Sequence, residues 1–235
     1  MKPSFYRFFI LYLHKYKSEN RMFILSETNS VANHFIAELR DVNVQQDAMR
    51  FRKNMERLGE ILAYEISKTL DYQKVTVQTP LATTDTFLLK NQPVLVAILR
   101  ASLPFHQGFL NVFDQAENAF IGAYRGKHRP DETFDVQMDY LVSPDLNNKT
   151  IILIDPMLAT GKSLVKSYEA LLAYGKPARI IIAAAITAPE GISFLQQEIP
   201  EAEFFVGAID EKLNHKFYII PGLGDAGDLA YGGKL

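Results

Sequence analysis

The chain has 235 residues, 48% of them hydrophobic and 22% charged, with 25 Lys and Arg against 27 Asp and Glu. That much apolar side chain can fill a packed core, which argues against a disordered chain, and a net charge of -2 argues against a surface coated for nucleic acid. The absence of cysteine removes disulfides, thiolate metal sites and cysteine nucleophiles together, and suits a reducing compartment such as the cytoplasm.

Taken in chain order, residues 1–21 read as an N-terminal extension and residues 22–235 as one domain. The apolar run from Phe8 to Leu13 is too short to span a bilayer. No small-residue cleavage site follows it, so a signal peptide is not expected. Met22 opens "MFILSET" and offers an alternative start. From Asp47 to Leu70, Phe51, Met55, Leu58, Ile61, Leu62 and Ile66 recur at helical spacing. Residues 93–100, "PVLVAILR", predict a buried strand. Residues 102–113 predict a helix with Ser102 as N-cap and Pro104 in its first turn. Strands follow over 119–126 and 134–142, and the polar "KHRPDE" of 127–132 between them reads as a flap tip or a solvated loop. Then come a strand over 149–155, a helix over 161–175 stopped by Gly175, a strand over 178–186, a helix over 189–199 and a strand over 203–209.

Continuous apolar strands separated by helices imply an α/β fold whose parallel sheet is covered on both faces. Such sheets bind ligands beyond the carboxyl ends of their strands. The stretch "IILIDPMLATGKSL" (151–164) lies at such an end. Its Gly161-Lys162-Ser163 mimics the close of a triphosphate P-loop, but that pattern requires glycine where Pro156 stands. Proline has a fixed φ and no N–H, and Asp155 would repel a triphosphate at the mouth of the cradle. Another arrangement suits every residue. Asp155 accepts hydrogen bonds from ribose hydroxyls. Ala159, Thr160 and Gly161 let backbone N–H groups approach a phosphate, with hydroxyls from Thr160 and Ser163 and the positive end of a helix beside it.

Two arginines end neighbouring strands, Arg100 in "AILRAS" and Arg125 in "AYRG". A cation at the end of a buried strand calls for an anionic partner, which is either a carboxylate of the fold or a diphosphate gripped by the planar guanidinium. The segment "YIIPGLGDAGD" (218–228) surrounds Asp225 and Asp228 with glycine, which lets a main chain approach a flat ligand closely. His106, His128 and His215 form no metal-ligand spacing and read as structural or surface residues.

These motifs resemble the type I phosphoribosyltransferases. "ILIDPMLATGKS" is similar to their loop for phosphoribosyl diphosphate (PRPP), and its Asp-Pro-Met-Leu-Ala-Thr-Gly wording resembles that of the uracil-specific members. The similarity extends from about Met22 to Gly232. It implies a central parallel sheet flanked by helices, with a small β hood over the site. It implies transfer of the 5-phosphoribosyl group from PRPP to N1 of uracil, giving UMP and diphosphate. PRPP contacts are implied from Arg100, Arg125, Asp155, Pro156, Met157, Leu158, Ala159, Thr160, Gly161, Lys162, Ser163 and Asp225. Ile219, Gly224, Asp225 and Ala226 are implied to read uracil through their backbone. Asp155, Arg100 and Arg125 are the residues implied in catalysis, and Mg²⁺ is expected to arrive with PRPP, near Asp225. The resemblance further implies a cytoplasmic enzyme, a homodimer or higher homo-oligomer, and GTP as a candidate effector, with no nucleic-acid or membrane partner. Two departures stand out. Ser102 replaces a glycine that the family places after the arginine turn, and would strain a turn needing positive φ. Lys162 replaces another glycine, and either meets phosphate or points to solvent. A regulator that keeps the fold and binds RNA, or an enzyme for another base, is the alternative reading.

Overall fold

The structure is a computed structural model; it describes residues 21–128 and 134–233, with the side chains of 123–138 outside the description. The expected extension, residues 1–21, lies outside the described residues apart from Arg21, as does most of the expected flap tip. Among the described residues the chain runs β1 (Met22–Ile24), α1 (Ala32–Arg40), α2 (Ala48–Ser67), β2 (Tyr72–Gln78), β3 (Thr83–Leu89), β4 (Val94–Leu99), α3 (Leu103–Val112), β5 (Glu117–His128) and β6 (Phe134–Val142). It continues with β7 (Thr150–Ile154), β8 (Met157–Leu158), α4 (Lys162–Leu171), β9 (Arg179–Thr187), α5 (Pro189–Glu198), β10 (Glu203–Ile209), β11 (Lys212–Leu213), β12 (Ile219–Ile220) and α6 (Ala226–Tyr231).

The main sheet has the order β1-β10-β9-β7-β4-β5-β6, with β8 added beside β9. Its pairings are parallel except for the antiparallel edge pair β5–β6. The strands read as unbroken apolar runs because both faces are covered. On β7, Ile152 and Ile154 face a core with Phe51, Met55 and Leu58 of α2 and Phe105 and Phe109 of α3. Ile151 and Leu153 face the opposite core, with Leu164 of α4 and Ile192 and Leu195 of α5. Full burial of each such side chain contributes about 1.5–3 kcal/mol.

The order in which successive strands are laid down reverses between the parallel neighbours β4 and β7. The β4–α3–β5 unit winds one way with its helix on one face, and β7–α4–β9–α5–β10 winds the other way with helices on the opposite face. Such a reversal opens a crevice beyond the carboxyl ends of the two central strands. Arg100 immediately follows β4, and Asp155 immediately follows β7.

Most expected elements are present with ends shifted by a residue or two. Three departures are informative. Ser102 precedes α3 with φ -71, so it strains nothing, but it forms no side-chain cap: its hydroxyl is fully buried and unpartnered. The helix after the phosphate loop starts at Lys162 with Gly161 at the cap position, and a turn of 3-10 helix (Leu172–Tyr174) carries it to Gly175, whose φ is +125. The hairpin β2–β3, helix α1 and the short pieces β1, β8, β11, β12 and α6 went unforeseen. The β2–β3 hairpin is a sheet of its own, exposed on most of both faces, so it lacks the alternation that marks a half-buried strand.

Candidate active site

The loop after β7 is built by its own sequence. Pro156 cannot donate, and its carbonyl instead accepts from Ala185 and Ile186 N–H of β9 at 3.2 and 3.0 Å. That contact returns the chain to the sheet as β8, which pairs with β9, so Asp155 stands at the rim where the ladder is interrupted. One carboxylate oxygen, Asp155 Oδ1, accepts from Met157 N–H at 3.2 Å, which fixes the half-buried side chain at the strand end. Gly161 then adopts φ +77, a region that admits glycine readily, and turns the chain into α4. Asp155, Met157, Leu158, Ala159, Thr160, Gly161, Ser163 and Leu164 line one open concavity. The expected phosphate-loop residues are therefore gathered in one place, apart from Pro156, which is turned into the sheet, and Lys162, which is exposed.

Gly191 of α5 braces this loop and escaped the sequence reading. A Cβ there would stand 2.3 Å from the Ala159 carbonyl oxygen, so the helix touches the loop backbone directly. The available signal was a glycine in the first turn of a helix, which marks close approach.

Arg100 is hydrogen-bonded within the fold. Its Nη2 donates to Asp228 Oδ1 at 2.8 Å and to the Gly232 carbonyl at 2.8 Å. Its Nε is buried with no hydrogen-bond partner. The pair is partly open, with side chains 36% and 40% exposed. Asp228, noticed in the sequence only as a neighbour of Asp225, is therefore the carboxylate that holds Arg100. Arg125 sits on β5 opposite Val136, and its side chain lies outside the described atoms.

The 218–228 segment begins with the second strand of the hairpin β11–β12, whose first strand is pinned to α5 where Glu190 Oε1 accepts from Leu213 N–H at 3.1 Å. Ile219 is its buried last strand. Gly224 has φ +97. Asp225 Oδ1 caps α6 by accepting from Gly227 and Asp228 N–H at 2.9 and 3.0 Å. Ala226 is buried at the first position of that helix. An ideal Cβ on Gly227 would lie 3.6 Å from Arg100 Nε and 3.7 Å from the Ala101 Cβ, so the turn is in contact with the end of β4.

His106 is buried, with Nε2 2.7 Å from Asn118 Oδ1, and burial lowers its pKa, in keeping with a structural role. His128 has a side chain outside the described atoms. Among the described residues no three His, Asp or Glu side chains converge as a metal site, and no helix is long and apolar enough to cross a membrane.

A mostly parallel sheet whose order of winding reverses between two strands, with an acid-led small-residue loop after one and an arginine after the other, is the architecture expected of a type I phosphoribosyltransferase. The family model for uracil phosphoribosyltransferase matches residues 26–233. A Porphyromonas gingivalis uracil phosphoribosyltransferase is 47% identical over 212 residues, covering 90% of this chain and 98% of that protein. One from Pyrococcus furiosus is 42% identical over 200 residues, 84% of each chain. The solved structure of the AQ2163 protein from Aquifex aeolicus superposes with a TM-score of 0.80 at 35% identity, covering 90% of this chain and 98% of that one. The chain belongs to the uracil phosphoribosyltransferase family.

Proposed function

We propose that the crevice between β4 and β7 binds PRPP and uracil and joins the phosphoribosyl group to uracil N1, releasing diphosphate. The observation that carries the reading is the placement of Arg100 and the Asp155 loop at the carboxyl ends of the two central strands. In this reading the concavity of residues 157–163 anchors the 5′-phosphate, with Thr160 and Ser163 hydroxyls available as donors. Asp155 holds the ribose hydroxyls, so the sugar is fixed at both ends. The bond from ribose C1 to diphosphate breaks with its electron pair going to diphosphate, C1 becomes electron-poor, and N1 closes the new bond to C1 as the N1–H bond breaks and its proton passes to the released diphosphate. Arg100 and Arg125 take up charge on the leaving group, which requires Arg100 to exchange Asp228 for phosphate oxygens. Uracil carries alternating donors and acceptors, which the main chain of Ile219, Gly224, Asp225 and Ala226 can match. No side-chain nucleophile is needed, since holding the reactants in line can supply about 7–11 kcal/mol of the barrier.

Mg²⁺ fits the site as an ion carried by PRPP itself. The described residues offer no cluster of three or more ligating side chains, and such an ion keeps several waters while resting on one or two carboxylates. Asp225 would supply one such oxygen, and the ion would neutralise charge on the diphosphate.

A homodimer extends the reading. The β2–β3 hairpin presents Leu81, Phe87 and Leu88 to solvent, and two-stranded hairpins are marginally stable alone. A second copy of the chain is the proposed cover. Sedimentation should report a dimer, and Phe87→Glu should shift it toward monomer.

The direct test is radiolabelled uracil, cytosine, orotate and hypoxanthine, each supplied with PRPP and Mg²⁺. UMP from uracil is expected, and product from another base alone would overturn the substrate assignment. Repeating the uracil arm with GTP decides whether it acts as an effector.

A further inference from the structure

Arg40 and Asp210 grip the 218–228 segment from behind. Arg40 closes α1, and Asp210 directly follows β10. Arg40 Nη2 donates to Asp210 Oδ1 at 2.6 Å, and Nη1 donates to Asp210 Oδ2 at 2.9 Å. The Asp210 side chain is 4% exposed. Its Oδ2 also accepts from Gly222 N–H at 2.7 Å, while Arg40 Nη1 donates to the Gly222 carbonyl at 3.0 Å. Both backbone polar groups of one loop residue are therefore held by one ion pair. Gly222 has φ +61, and a Cβ there would stand 2.2 Å from the Ile219 carbonyl oxygen, so this turn admits no side chain. The pair is itself fixed, because Gln45 Nε2 donates to the Arg40 carbonyl at 3.1 Å.

Stability alone is a weak reason for such a pair. Desolvating two charges offsets much of their attraction, and apolar residues of similar volume often serve stability as well. An apolar pair could not bond the N–H and the C=O of Gly222 together. What the arrangement uniquely supplies is the position of the loop between Ile219 and Gly224.

We infer that Arg40 and Asp210 are positioning residues for the base: they set where the main chain of Ile219 to Gly224 stands, and so control uracil binding without touching uracil. The inference rests on the reading that residues 219–226 receive the base. It explains why α1, which contributes nothing to the phosphate loop, ends in an arginine aimed at the far end of the chain.

The test is steady-state kinetics of Arg40→Lys and Asp210→Asn, with KM for uracil and for PRPP measured separately. Lysine keeps the charge but loses the two-pronged geometry. Uracil KM should rise about tenfold or more, the scale seen when residues that orient a ligating group are changed. PRPP KM should stay within about twofold, since the phosphate loop shares no partner with the pair. Should Asp210→Asn fail to fold, Arg40→Lys carries the test. An unchanged uracil KM, or a rise in both KM values in proportion, overturns the inference. Gly224→Ala, at a residue with φ +97, serves as the reference. If it raises uracil KM and Arg40→Lys does not, the positioning role fails alone. If neither does, the assignment of the base to this segment fails with it.

Discussion

The two halves of the crevice are built in opposite ways. The phosphate side takes its shape from consecutive residues: Asp155 fixes itself on Met157 N–H, Pro156 returns the chain to β9, and Gly161 turns it into α4. The base side is tied from afar. Gly222 hangs on Arg40, Ala230 accepts from Arg52, and Asp228 meets Arg100, across sequence separations of 182, 178 and 128 residues. A site built mainly from its own segment answers to few outside groups, here β9 and Gly191 of α5, whereas a site tied from afar shifts with whatever holds it. Substitutions on the phosphate side should therefore act on PRPP alone, and those behind the base side should act at a distance.

The largest effect is expected at Asp155. Asp155→Asn keeps the size of the side chain and removes the charge beside the ribose, so kcat/KM for PRPP should fall by about 10²–10³, the scale for losing one aimed electrostatic group. Unchanged kinetics would remove Asp155 from the site. Next comes Gly191→Ala, which touches no substrate. Its methyl would overlap the Ala159 carbonyl, so the loop or α5 must shift. A displacement near 1 Å can cost up to about 10²-fold in rate. PRPP KM and kcat should change while uracil KM holds, and a rise in uracil KM of equal size would mean that the two halves are not separate.

Asp228→Asn should act in the favourable direction. Asp228 competes with diphosphate for Arg100, and both side chains are more than a third exposed, so the pair is worth only about 0.2–1 kcal/mol. Removing the charge should lower PRPP KM by at most about fivefold, as measured in the uracil assay at fixed Mg²⁺. A raised KM would show that Asp228 orients Arg100 for the ligand rather than withholding it.

The same contrast governs what the sequence could reveal. The phosphate loop was legible because each of its residues states its own constraint: an acid at a strand end, a proline that cannot donate, a small-residue turn before a helix. The order of strands and helices was legible because burial on both faces leaves unbroken apolar runs. Arg100 announced a need for an anion, but its partner within the fold, Asp228, lies 128 residues away, and no local pattern selects it. Arg40 and Asp210 gave no signal, since a charged residue at a helix end or just past a strand is usually solvated. The capping role expected of Ser102 failed because α3 begins in the crowded turn after β4, where the hydroxyl is buried away from the helix N–H groups.

The smallest effect tests the scaffold that carries Arg40. Glu38, on the same helix, accepts from Arg50 Nε and Nη2 of α2, each at 2.7 Å, and from Asn54 Nδ2 at 2.6 Å. The Arg50 hydrogen bonds, then that of Asn54, hold its pKa down at about 2 against an ordinary 4.5. A carboxyl depressed in the folded state stabilises fully above its unfolded pKa, because the fold favours the ionised form; below that pKa the unfolded chain takes up a proton that the folded chain does not, which favours unfolding. That contribution should fade as pH falls from about 4.5 toward about 2. Glu38→Gln removes it at every pH. The difference in Tm between the two proteins should therefore be present at neutral pH and shrink through that acid window. A difference that stays constant to the bottom of the window would show that the ion pair does not fasten α1 to α2, and that Arg40 is held in place by the apolar core beneath α1 and by Asp210.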